Sequence, residues 1–156
     1  MTDYDKIEQV KNIIIQLLAQ MGVPASVEFE ESITKGLIFN ISSPHSYLLI
    51  GRQGATLHAL QILVQALAAK RFTDGAPLWF SLDVDDYKRK REWFLKETAK
   101  AAADKLKLTG RAQALEPMPN YERRLVHAYL QEHCPNVESY SIGDEPNRKV
   151  VIKLKH

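Results

Sequence analysis

Cysteine is almost missing from these 156 residues: Cys134 stands alone, so no intramolecular disulfide can form and the paired cysteines of small secreted domains are lacking. The reducing cytoplasm is the expected compartment. Also missing are any apolar run long enough to cross a bilayer and, in the acidic start Met1-Thr2-Asp3-Tyr4-Asp5, the basic and apolar regions of a signal peptide. Work at a membrane would require recruitment. Charge of one sign is lacking as well: 21 Lys and Arg face 19 Asp and Glu, a formal net charge of +2. Composition therefore does not announce a nucleic-acid binder, and any basic face must come from local clustering. His133-Cys134 has no companion pair at zinc spacing, so neither a metal nor another cofactor is expected. Internal repeats and low-complexity segments are absent.

What the chain does have is periodic apolar patterning, with 45% hydrophobic and 26% charged residues, enough for one compact unit or two small modules. Ile7, Val10, Ile14, Leu17, Leu18 and Met21 recur at helical spacing from Tyr4, and Gly22 and Pro24 stop the helix. Val27 and Phe29, then Leu37, Phe39 and Ile41 after a turn at Thr34-Lys35-Gly36, alternate as a hairpin. Ser43-Pro44 reads as the N-cap and first position of a short helix ending at Gly51. A second helix from Ala55 to about Phe72 buries Leu57, Leu60, Val64, Leu67 and Ala68, and Leu78 to Val84 alternate as a third strand. Residues 1–85 thus read α-β-β-α-α-β.

A helix from about Tyr87 to Leu108 follows, capped by Asp85 or Asp86, with Leu95, Ala99, Ala102 and Leu106 on one face. Residues 88–107 carry eight positive and three negative side chains, more net charge than the whole chain, so residues 86–110 read as a connecting basic helix whose charged face is plain solvated surface or, as a second reading, a track for a phosphate backbone. Asn120 then caps a helix through Glu132, and strands at Val137–Ile142 and Arg148–Leu154 flank Gly143-Asp144-Glu145-Pro146. Residues 111–156 form the second module. The overall class is α+β.

Two places carry chemistry. Gly51-Arg52-Gln53-Gly54 lies between two helices: the glycines admit a ligand close to the backbone, the following helix offers free N–H groups to a phosphate, Arg52 adds charge, and Ile50 and Leu57 supply apolar surface for bases. The rival phosphate loop needs Lys-Ser or Lys-Thr after its last glycine, where this chain has Ala55-Thr56, so nucleotide hydrolysis is disfavoured. Arg123 and His127, four apart on a helix, share one face and can hold a phosphate, with Asn120 and Arg124 beside them. Asp83, Asp85 and Asp86 would suit a magnesium-dependent nuclease only if they were not capping the helix at Tyr87, the simpler account. Trp79, Trp93 and Tyr140 have the chemistry to stack bases, although aromatics at such positions are more often core.

The run Ile50-Gly51-Arg52-Gln53-Gly54-Ala55-Thr56-Leu57, within an α-β-β-α-α-β order, resembles the K-homology (KH) domain in its type II arrangement. Glu116 to His127, with Gly143-Asp144-Glu145-Pro146 and Arg148 to Ile152, resembles the R-3-H domain, a single-stranded nucleic-acid binder. Together, from about residue 4 onward, they resemble the bacterial Jag family, also called KhpB or SpoIIIJ-associated. The resemblance implies a non-catalytic regulator that binds single-stranded RNA, or single-stranded DNA, and pairs with a small KH-domain protein or a second copy. It also implies a link with cell elongation and division. The alternative is an adaptor, associated with a membrane insertase, for which RNA is secondary. Many members carry an N-terminal Jag domain and a long linker; neither is seen in this sequence, so that domain's roles are not expected of these residues.

Overall fold

A computed structural model describes residues 1–156. The chain divides into two compact units, Met1–Lys88 and Arg89–His156, each with its own apolar core.

The first unit follows the order α-β-β-α-α-β read from the sequence: α1 (Asp3–Gln20), β1 (Ser26–Ser32), β2 (Gly36–Ser42), α2 (Ser46–Ile50), a short 3-10 turn at Arg52–Gly54, α3 (Ala55–Arg71) and β3 (Phe80–Val84). Thr2 and Asp5 start α1 with a reciprocal capping box, each side chain taking the other's backbone amide. The sheet order is β1-β2-β3, antiparallel between the first pair and parallel between the second, with Phe29 opposite Phe39 and Phe39 opposite Leu82. Ile14 of α1, Val64 of α3 and Phe39 and Leu82 of the sheet are fully buried, so the two long helices close one face of the sheet.

Two local expectations fail in this unit. Ser43 does not cap α2: its hydroxyl donates to the Pro24 carbonyl and accepts from the His45 amide, tying the Ser43-Pro44 corner back to the start of β1, and the helix begins later, at Ser46. Leu67 is not core. With Ile62 and Leu63 it lies exposed on the outer side of α3, because Leu57, Leu60, Val64 and Ala68 already occupy the turns that meet the sheet.

The boundary between units falls inside α4 (Tyr87–Thr109), and the second unit adds β4 (Gln113–Ala114), α5 (Asn120–His133), β5 (Val137–Ile142) and β6 (Lys149–Leu154). Its antiparallel sheet has the order β4-β6-β5, leaving one edge of β5 free. From Arg89 onward α4 is more than a connector over residues 86–110: Leu95, Ala99, Ala103 and Leu106 are buried with Val126 and Leu130 of α5 and Val150 and Ile152 of β6. At its first turn the Lys88 amide donates to Oδ1 of buried Asp83 at 3.3 Å, so Asp83 is an acceptor at this helix start. At the other helix, Pro119 occupies the N-cap position of α5 without a side-chain bond and Asn120 is the first helical residue, so Asn120 does not act as the cap.

Candidate nucleic-acid interface

The Gly51–Gly54 turn is built so that only glycine fits at either end. Gly51 has φ +71°, and a Cβ there would overlap the Thr56 side chain and lie 2.9 Å from the Thr56 amide nitrogen. Gly54, at φ +80°, would place a Cβ 2.8 Å from Cε1 of Tyr87. Between them Gln53 adopts the left-handed region, φ 54° and ψ 27°, which non-glycine residues seldom occupy. The 17-residue helix α3 starts directly behind the turn with no side-chain cap and no acid in its first turn, leaving the positive end of its dipole unopposed by any of its own carboxylates. Arg52 is exposed at the apex.

The apolar surface beside this turn differs from the sequence expectation. Leu57 is 3% exposed and belongs to the core, while Ile50 packs half-buried against that core. Leu57 therefore offers no surface for a base. The exposed apolar side chains next to the turn are Tyr47 and Leu48 of α2, a five-residue helix too short to carry a readable period. Thr56 and Tyr87, which enforce the glycines, were not singled out either; their role depends on tertiary contact and leaves no local signal.

On α5 the four residues singled out separate into two kinds. Asn120 and Arg124 are exposed. Arg123 is buried: Nη1 donates to the Met118 carbonyl at 2.7 Å, and Nη2 lies 2.7 Å from the Glu145 carboxylate in the loop between β5 and β6. His127 is half-buried, with Nδ1 2.6 Å from the Ser139 hydroxyl and Nε2 3.0 Å from that of Ser141. Burial, and secondarily the Arg123 charge, push its pKa down, so the neutral ring is favoured. A neutral ring bonded at both nitrogens orients neighbours; it does not supply charge. The residue pair thus faces into the unit more than a solvated helix face would suggest.

The basic side chains of α4 are also partly engaged. Arg91 grips Glu122 of α5 with two bonds of 3.0 Å, Glu122 being 1% exposed, and Lys96 pairs with Glu92 one turn away. Lys88 reaches Gln61 of α3, and burial lowers its pKa although Asp83 opposes the shift. Lys100, Lys105 and Lys107 are exposed. Against the expectation of core placement, Trp79, Trp93 and Tyr140 are 81%, 65% and 42% exposed. No group of three or more His, Cys, Asp or Glu is placed to hold a metal ion, and Asp83 directs its carboxylate to the Val84 and Lys88 amides. No helix is long and apolar enough to cross a membrane.

Comparison with known proteins adds sequence relatives to this geometry. The R-3-H domain family model matches residues 94–154, beginning inside α4 as the second core does. The RNA-binding protein KhpB of Clostridium symbiosum is 40% identical over 135 residues, covering 86% of this chain and 59% of that protein. The RNA-binding protein KhpB of Bacillus subtilis (strain 168) is 33% identical over 152 residues, covering 97% of this chain and 72% of that protein. The chain belongs to the KhpB family. A further RNA-binding protein KhpB, from Lactiplantibacillus plantarum, is 32% identical over 142 residues, covering 91% of this chain and 43% of that protein. Lengths within the family therefore differ widely, and this chain spans less than two thirds of the Clostridium and Lactiplantibacillus proteins.

Proposed function

We propose that this chain is a non-catalytic RNA-binding protein of the cytoplasm that holds single-stranded RNA, or single-stranded DNA, at the Gly51–Gly54 turn and on α5. The observation that carries the reading is the turn itself. Two positions closed to any Cβ, an exposed Arg52 and an uncapped helix start together make a cradle for phosphate oxygens. The α-β-β-α-α-β order around that turn supports reading the first unit as a type II KH domain, a module that clamps about four nucleotides. In the second unit the R-3-H match and the names of the relatives support nucleic-acid binding. There Asn120 and Arg124 meet the strand directly. Arg123 reaches a phosphate by exchanging the Glu145 carboxylate for it, with His127 orienting the site. Joining two weak sites in one chain raises affinity through effective concentration. A post-transcriptional regulator linked to cell elongation and division is the role this reading implies.

The test is the double substitution Arg52→Asp with Gln53→Asp in the full chain. Asp tolerates the left-handed conformation at position 53 better than most residues, so folding is retained. Filter binding to a single-stranded RNA should weaken by about tenfold or more, with a flatter dependence of log K on log salt. Unchanged affinity would remove the turn from the binding site.

A second reading, a protein adaptor that binds a small KH-domain partner or a second copy and meets a membrane insertase, is favoured by one observation. Ala59, Ile62, Leu63, Ala66 and Leu67 form an exposed apolar stripe along α3. The two readings are compatible if the stripe and the turn serve different ligands.

A further inference from the structure

A groove of about 360 Å³ runs along the free edge of β5, lined by His127 and Gln131 of α5, by Glu138, Ser139 and Tyr140 of β5, and by Lys155. We propose that this groove takes one nucleotide of the bound strand and favours a base carrying an exocyclic amino group, adenine or cytosine. The proposal rests on the RNA-binding reading above and assigns it a base-reading site.

The chemistry follows from the strand's alternation. Successive β5 residues point to opposite faces, so Ser139 turns toward His127 of α5 while Glu138 and Tyr140 belong to the other face, and the groove straddles the edge between them. Tyr140, 42% exposed with Lys153 Nζ 5.6 Å from its ring centre, is an aromatic surface at the rim for stacking a base. Glu138 pairs with Lys153 at 2.9 Å, and that hydrogen bond holds its carboxyl below the usual range, so it is an ionised acceptor. A carboxylate there repels phosphate and accepts from a base amino group; the Gln131 amide adds a donor and an acceptor of the kind that pairs with adenine. Lys155, exposed at the same groove, supplies the cation for the adjoining phosphate. His127 closes the floor as a neutral ring already bonded to Ser139 and Ser141, so it completes the shape without adding charge.

The experiment uses the full chain and single-stranded oligo(A) and oligo(U) of ten nucleotides. Wild type should bind oligo(A) more tightly than oligo(U). Tyr140→Ala should weaken oligo(A) binding by about tenfold, Tyr140→Phe should restore it, and Lys155→Ala should lower the salt slope by about 0.7. If Tyr140→Ala and Lys155→Ala bind both oligonucleotides as wild type does while the Arg52, Gln53 variant has lost affinity, the groove assignment falls and the RNA-binding reading stands. Equal affinity of wild type for oligo(A) and oligo(U) overturns the amino-base preference. Adenosine monophosphate displacing oligo(A) at equal concentration assigns the groove to a free nucleotide and overturns the strand assignment. A wild-type chain that binds neither oligonucleotide overturns both readings.

Discussion

Arg123 is held by two different partners, a backbone carbonyl that is always present and a carboxylate on an exposed loop that can leave. The Met118 carbonyl fixes one amino group of the guanidinium, whereas Glu145 is 57% exposed at its side chain and offers the kind of oxygen pair that a phosphate also offers. Removing that carboxylate should therefore have opposite effects on folding and on binding. In Glu145→Gln the buried guanidinium loses its anion, so thermal stability falls. The same change spares RNA from displacing a competitor, and affinity should rise about two- to fivefold, within the range of a partly exposed ion pair. Melting with and without single-stranded RNA checks both signs at once; a stability loss with no gain in affinity would place Arg123 outside the RNA contact. The residue spacing of Arg123 and His127 was plain in the sequence, but their burial was not. Their polar partners Glu145, Ser139 and Ser141 are distant in sequence, and although Glu145 stands in the Gly143–Pro146 run that carries the resemblance, nothing local pairs it with Arg123 or the serines with His127.

At the scale of elements, the order of the first unit was legible because each segment carries its own period: Ile7, Val10 and Ile14 on α1, then Phe39 and Ile41 alternating on β2, with Gly and Pro between them. What the sequence hid was which side of an apolar helix faces in. On α3 nearly every turn is hydrophobic, so periodicity assigned Leu67 to the core, where the sheet has room only for Leu57, Leu60, Val64 and Ala68. The stripe left outside is a property of the element as a whole and predicts association. Leu63→Glu with Leu67→Glu should leave the fold intact, since both positions are exposed, and should abolish any dimer or partner complex seen by light scattering. RNA binding through the turn should survive. A protein that is monomeric and partner-free before and after the change would leave the stripe without an interface role. The basic helix α4 teaches the complementary lesson: Leu95, Ala99 and Leu106 were legible as one face, but Ala103 joins them in the buried row where Ala102 is only partly buried, and that the face belongs to the second core depends on tertiary contact.

Across the whole molecule the near-neutral charge conceals a division. Residues 1–88 carry 7 Lys and Arg against 10 Asp and Glu, a net of −3, while residues 89–156 carry 14 against 9, a net of +5. The unit with the Gly51–Gly54 turn is thus the acidic one, and attraction of a polyanion must come chiefly from the other. Three of the acids, Glu28, Glu30 and Glu31, lie exposed on β1, an edge strand, where charge discourages pairing with another chain. Neutralising them as Glu28→Gln, Glu30→Gln and Glu31→Gln brings the first unit to a net of zero without touching the turn. Long-range repulsion predicts a several-fold rise in RNA affinity at about 0.05 M salt, carried mainly by faster association. Near 1 M salt, where the screening length shrinks to roughly 3 Å, the variant and wild type should converge. A gain that persisted at high salt would mean that β1 touches RNA directly, and no gain at low salt would mean that the bound strand lies beyond the reach of the first unit's acids.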